Sequence, residues 1–274
     1  MISLAVMATS ANGAPDPVPS GTDCHMHVKS HGDFPQDADR VLSALEGAGL
    51  QRACILSGGY QKPEDCKSAN CPSQRKWTMK ENDWTLQQAR NNKNLLPFCG
   101  VPVHEAWAAD EARRCAKNGA RGLKLHPVSE GLSLRKAEAL NNFDGISSAA
   151  AESGLPILIH IAFTDDEIEA FFQIAAAHPK TAYIVAHQLG PKMVALKRAP
   201  SNIYIDISGL TLAPRSAAPG FVALWRSIGM RRILLGSDWP LLHPSEYVAA
   251  LRTFPLTPEE RKLIVTDNAL RLFP

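Results

Sequence analysis

Along most of its length the chain repeats one pattern. A short, nearly unbroken apolar run is followed by a longer stretch whose apolar positions recur at helical spacing. Eight such runs fall at about 21–28, 53–57, 96–103, 122–126, 156–160, 182–187, 203–207 and 232–237. Between them the spacing predicts helices over 35–47, 79–91 and 108–117, a helix-rich stretch reaching Ser153, then helices over 165–177, 192–198 and 220–228, with 244–254 and 258–272 closing the chain. Stops are written where helices should end: Gly47 and Gly49, Gly119, and Gly154-Leu155-Pro156. Asp165 and Asp166 sit where a helix N-terminus favours negative charge.

Strands alternating with helices predict a parallel sheet, and eight units over about 250 residues predict a closed (β/α)8 TIM barrel, class α/β. Continuous rather than alternating apolar runs fit strands buried on both faces. An open doubly wound sheet would normally carry a glycine-rich phosphate loop after its first strand. Here that place holds His25 and His27, two residues apart, so their side chains share one face of the strand. The expected organisation is a flexible extension or signal-peptide remnant over 1–20 and a barrel domain over 21–274.

Other ligand-type residues also choose strand ends: Lys124 and His126 on the fourth run, His160 on the fifth, His187 on the sixth and Asp238 on the eighth. In a barrel those ends meet on one face, where active sites lie. Imidazoles plus a carboxylate suit zinc or a similar first-row metal. His25, His27, His160 and Asp238 make a four-ligand set for one or two divalent ions. Such an ion lowers the pKa of its water from 15.7 toward ~7. Asp238 is then expected to take that proton and pass it to the leaving group. His187 is read as catalytic or as a second ligand. Lys124, His126 and Trp239 are candidate substrate-binding residues, Tyr60, Gln61 and His243 are weaker ones, and His178 reads as structural.

The motifs Asp-x-His-x-His at 23–27, Gly-Leu-Lys-Leu-His-Pro at 122–127, the histidines His160 and His187, and Gly-Ser-Asp-Trp-Pro at 236–240 together resemble the amidohydrolase superfamily. More narrowly they resemble the amidohydrolase-related group that includes aminocarboxymuconate semialdehyde decarboxylase-like enzymes, and 267–273 is similar to that group's closing helix. The resemblance spans about residues 20–274. It implies a metal held by residues matching His25, His27, His160 and Asp238. It also leaves open whether Lys124 is a carboxylated bridge between two metals or a cation for an anionic substrate. The expected activity is a metal-dependent hydrolase that cleaves an ester, lactone or amide of a small molecule with metal-activated hydroxide. The alternative is a lyase that decarboxylates an aromatic or unsaturated acid without oxidation. A barrel-type deoxyribonuclease and a catalytically silent metal-binding barrel are weaker readings.

Composition trims the partners. The 274 residues carry a net charge of +2 and no basic stripe with interleaved aromatics, so nucleic acid and membrane are not expected partners. A small-molecule substrate is, and a homo-oligomer stays open. Of six cysteines, Cys24, Cys54 and Cys99 lie in apolar runs and read as free core residues. Cys66 and Cys71 bracket a polar loop and could pair, so the compartment is left open between cytoplasm and export. The loop from Gln61 to Lys76 is the expected specificity or lid element.

Overall fold

The computed structural model describes residues 21–31, 36–62, 71–161, 164–187, 191–209 and 215–274. The expected extension at 1–20 lies outside them. Eight parallel strands run in sequence order: β1 (Thr22–Val28), β2 (Arg52–Ser57), β3 (Leu95–Gly100), β4 (Gly122–Leu125), β5 (Ile157–Ile159), β6 (Tyr183–Val185), β7 (Ile203–Asp206) and β8 (Ile233–Leu234). The helices are α1 (Ala38–Ala48), α2 (Gln74–Ala89), α3 (Ala108–Lys117), α4 (Ala137–Ser153), α5 (Asp165–Ala177), α6 (Ala218–Ile228), α7 (Pro244–Thr253), α8 (Pro258–Lys262) and α9 (Asn268–Leu272). A 3-10 segment at Pro191–Arg198 stands between β6 and β7. This is the expected (β/α)8 barrel.

Three backbone hydrogen bonds draw β1 to the chain after β8 and nearly close the ring: Cys24 N–H to Leu235 C=O at 2.8 Å, His27 N–H to Trp239 C=O at 2.7 Å, and Asp238 N–H to His25 C=O at 2.8 Å. The seam therefore runs through the predicted metal ligands. Gly236 makes it possible. A Cβ there would stand 3.0 Å from His25 Cβ and 3.1 Å from Asp206 Cβ.

Alternate strand residues divide between two cores. One faces the helices and holds residues such as Met26, Ile55, Phe143, Ile159 and Trp225. The other fills the barrel with Cys24, Cys54, Leu56, Leu96, Phe98, Leu158, Ile184 and Leu234, plugged below by Phe273. Simple alternation fails on β1. Asp23 pairs with Ala53 but Met26 with Ile55, so β1 spends one residue more than β2 between these points. This bulge lets Cys24 join the interior core while His25 and His27 still converge above it.

One helix start and one cysteine differ from expectation. α2 begins at Gln74 rather than Met79, because Ser73 caps it by accepting the Lys76 N–H. Cys99 is not a free core thiol. It forms a disulfide with Cys115, sixteen residues on, joining β3 to α3, while Cys24 and Cys54 stay free. Cys71 is also disulfide-bonded; Cys66 lies outside the described residues.

Candidate active site

The strand ends bring the singled-out residues to one mouth. His25 Nε2 lies 3.2 Å from His27 Nε2 and 3.3 Å from Asp238 Oδ1, and His27 Nε2 lies 3.1 Å from that same oxygen. Three donors this close to one another match the edges of a tetrahedron, about 3.3 Å long, around an ion at bond lengths of ~2.0 Å. His25, His187 and Asp238 likewise each offer one donor within 4.8 Å of the others. The donor types and spacing fit a divalent first-row cation.

His160 and His187 form the other half of the mouth. His187 Nε2 is 3.0 Å from His160 Nδ1, and His187 Nδ1 is 3.9 Å from Asp238 Oδ2. The His126 ring lies 4.1 Å from that of His160, and Tyr60 stacks on His126 at 5.3 Å. His187 and Asp238 both have left-handed backbone, with φ of 68° and 65°. Non-glycine residues adopt that conformation at a cost, and it turns both side chains inward just past their strands.

Lys124 is fully buried, with Nζ 3.4 Å from His25 Nε2. Burial lowers its pKa to about 8 against the opposing pull of Asp206 and Asp238. Burial, then the Lys124 charge, pushes His25 down to about 3. Burial likewise takes His160 to about 3 and His126 to about 2. Neutral imidazoles are what a metal needs. Asp238 moves the other way: burial would raise it, but His27, His25 and His187 hold it well below the usual carboxylate range.

Asp206, at the end of β7, is a central residue that sequence reasoning missed. It is fully buried, and its Oδ2 is 2.9 Å from His25 Nδ1. Its Oδ1 accepts the N–H of His187 at 3.2 Å and of Ser208 at 3.0 Å, and Ser208 Oγ bonds to it as well. Burial opposes its ionisation, yet His25 and the other partners keep it charged. Asp206 thereby fixes the proton of His25 on Nδ1 and leaves Nε2 free to ligate. The signal was present in Ile203-Tyr204-Ile205-Asp206-Ile207-Ser208, where polar residues alternate in phase with the barrel interior. Asp23 acts beneath: its Oδ1 accepts from the N–H of both His25 and Ser237 at 3.0 Å, tying the bulge to the β8 end.

Other candidates land elsewhere. Trp239 packs in the helix-facing core, and its neighbour Pro240 lines the cavity instead. His243 caps α7 by accepting the Ser245 N–H, and His178 pairs with Asp144 at 2.8 Å.

A cavity of about 410 Å³ opens outward from His27 and is walled by Tyr60, Gln61 and Pro240 among others, a size suited to a small molecule. No described helix is long and apolar enough to cross a membrane.

The family described as Amidohydrolase matches residues 71–274. No curated protein matches the chain. Among solved structures, a protein from Staphylococcus aureus provisionally described as an amidohydrolase is 17% identical, with TM-score 0.68, over 93% of this chain and 99% of that one. The 5-carboxyvanillate decarboxylase of Sphingomonas paucimobilis is 15% identical, with TM-score 0.68, over 93% and 98%. A dihydroxybenzoic acid decarboxylase from Polaromonas, solved with manganese and an inhibitor, is 14% identical, with TM-score 0.67, over 93% and 96%. At these identities the likeness is one of fold.

Proposed function

The chain belongs to the amidohydrolase family, and from that premise we propose that it is a metal-dependent enzyme whose reaction is the non-oxidative decarboxylation of a small carboxylic acid. The observation that carries this reading is the buried Lys124 side chain, with Nζ 3.4 Å from His25 Nε2. A divalent ion held by His25, His27 and Asp238 would stand beside that amine donor and neutral imidazoles. Such a buried cluster of donors around a cation suits an anionic partner, and a substrate carboxylate supplies it. The decarboxylases among the structural neighbours, several of them with manganese, support the same reading.

His25, His27 and Asp238 would hold the ion, with His160 and His187 completing its surroundings. When bound, it supplies Lewis-acid stabilisation of negative charge on substrate oxygen. Lys124 and His126 face the same space and orient the substrate. Asp238 is ionised, so it enters as a proton acceptor and passes the proton on. In the balanced step the bond from carbon to the carboxyl group breaks, its electron pair stays on that carbon and carbon dioxide leaves; Asp238 takes a proton from solvent and delivers it to that carbon, so one solvent proton is consumed for each carbon dioxide released.

The ionised Asp238 also favours a second reading, hydrolysis of an ester, lactone or amide, in which the proton comes from water and goes to the leaving group. One panel separates the two: carbon dioxide release from aromatic and unsaturated acids against ester, lactone and amide cleavage, each with manganese and with zinc. The decarboxylase reading predicts turnover in the first arm alone. Turnover confined to the second overturns it.

A further inference from the structure

Two loops carry lysines into the cavity that opens from His27. Lys29 follows β1, and Lys62 follows β2. Both are part-buried. Among the described residues no Asp or Glu lines the cavity, and neither ammonium meets a carboxylate. Among the described residues, Lys62 Nζ reaches the Pro72 carbonyl, at 3.4 Å.

Both loops are fastened to α2 through its buried Trp77, Thr78 and Glu81. Under the Lys62 loop, Trp77 Nε1–H donates to the Gln61 carbonyl at 3.0 Å, and Thr78 Oγ1 donates to the Gly59 carbonyl at 2.6 Å. Asn82 bonds both the N–H and the C=O of Gly100, where a Cβ would meet the Gly59 nitrogen at 2.7 Å. Under the Lys29 loop, the fully buried Glu81 accepts the Ser30 N–H at 3.2 Å and the Ser30 hydroxyl, and lies 3.5 Å from His31 Nδ1. Lys29 itself exchanges both backbone hydrogen bonds with Gln36. A solvated lysine needs no such footing. Two lysines on tethered loops over one cavity, with no carboxylate among its described lining residues, make a pre-organised anion subsite.

We propose that Lys29 and Lys62 bind a second carboxylate of the substrate, so that the enzyme acts on a dicarboxylic acid. One carboxylate lies at the His25–His27–Asp238 centre and the other at the outer end of the cavity. The inference rests on the metal-centre reading above, but its test needs no turnover.

The test is calorimetric titration of the manganese-loaded protein with succinate, glutarate and adipate, each against the monocarboxylate of equal length: butyrate, valerate and hexanoate. At least one dicarboxylate is expected to bind tenfold or more tightly than its partner. Lys29→Met and Lys62→Met should each erase most of that advantage while leaving monocarboxylate affinity, metal content and Tm unchanged. Lys62→Arg should keep it. Equal affinities within every pair, no measurable binding of any dicarboxylate, or an advantage that survives both Met variants overturns the proposal. Were decarboxylation the wrong chemistry, the binding difference would stand while carbon dioxide release failed.

Discussion

The barrel has two ends inside one ring of strands, and they are built on opposite principles. The lower interior is packed with Phe98, Leu56, Leu158, Ile184 and the plug Phe273, with Phe98 and Phe273 edge to face at 5.8 Å. The mouth, a few residues further along the same strands, holds His25, His27, Lys124, Asp206 and Asp238. Stability is concentrated below, where apolar area leaves water and close packing adds dispersion. Buried polar and titratable groups are concentrated above, where they are tolerated because nearly every one has a partner. The difference teaches that a substitution at one end should leave the other end's property standing.

Changes at the mouth should carry the largest effects. On the proposed roles of Asp238 as proton relay and metal ligand, Asp238→Asn is expected to lose ~10²–10⁴-fold in kcat with Tm within a few degrees of wild type. Steady-state kinetics beside a thermal melt checks it. Loss of folding without selective loss of turnover would break the contrast between the ends. At the floor, Phe98→Ala is expected to cost about 3–5 kcal/mol of stability, read by urea denaturation, while the folded fraction keeps wild-type turnover and metal content.

Asp206→Asn probes the layer between. Its amide cannot hold the His25 proton as a carboxylate does, so metal affinity should fall ~10–100-fold, measured by competition with a chromophoric chelator. An unchanged affinity would mean that Asp206 serves only to pin the His187 and Ser208 backbone.

Smallest is a difference in pH slope. His25, His126 and His160 have folded pKa values of about 3, 2 and 3 against an ordinary 6.5, and His187 is lowered as well. Below pH 6.5 the unfolded chain therefore takes up protons that the folded chain refuses, so stability falls on acidification toward pH 3. Asp23, raised by burial to about 7, works in the opposite sense as pH rises from 3.8 to 7, and the four imidazoles outweigh it. In metal-free protein, Tm should drop from pH 7 to pH 4. His126→Gln should flatten that curve, whereas Phe98→Ala should lower it without changing its slope. Parallel curves for all three proteins would contradict this origin of the acid sensitivity.

How much of this could be read beforehand differs between the ends. The floor was legible as apolar runs without individual contacts. The mouth was legible in its members, because His25, His27, Lys124, His126, His160, His187 and Asp238 all sit where apolar runs stop. Asp206 escaped because one carboxylate inside an Ile-rich run reads as an exception until its partner His25, 181 residues away, is in place. The footing of the two lysine loops escaped because α2 buries polar residues, which blurs the periodicity by which helices are recognised. The Cys99–Cys115 bond escaped because a strand and the next helix show their facing sides only after packing.

The sequence by itself determined the barrel and which side chains stand at its mouth. In a parallel βα repeat every strand delivers its C-terminal end to the same face, so order along the chain becomes position on a ring. Only the tertiary structure decided which of those groups touch. The β1 bulge, the seam through His25, His27 and Asp238, and the close approach at Gly236 set distances of about 3 Å between residues far apart in sequence. Such distances follow from how the ring closes, and no local pattern records that.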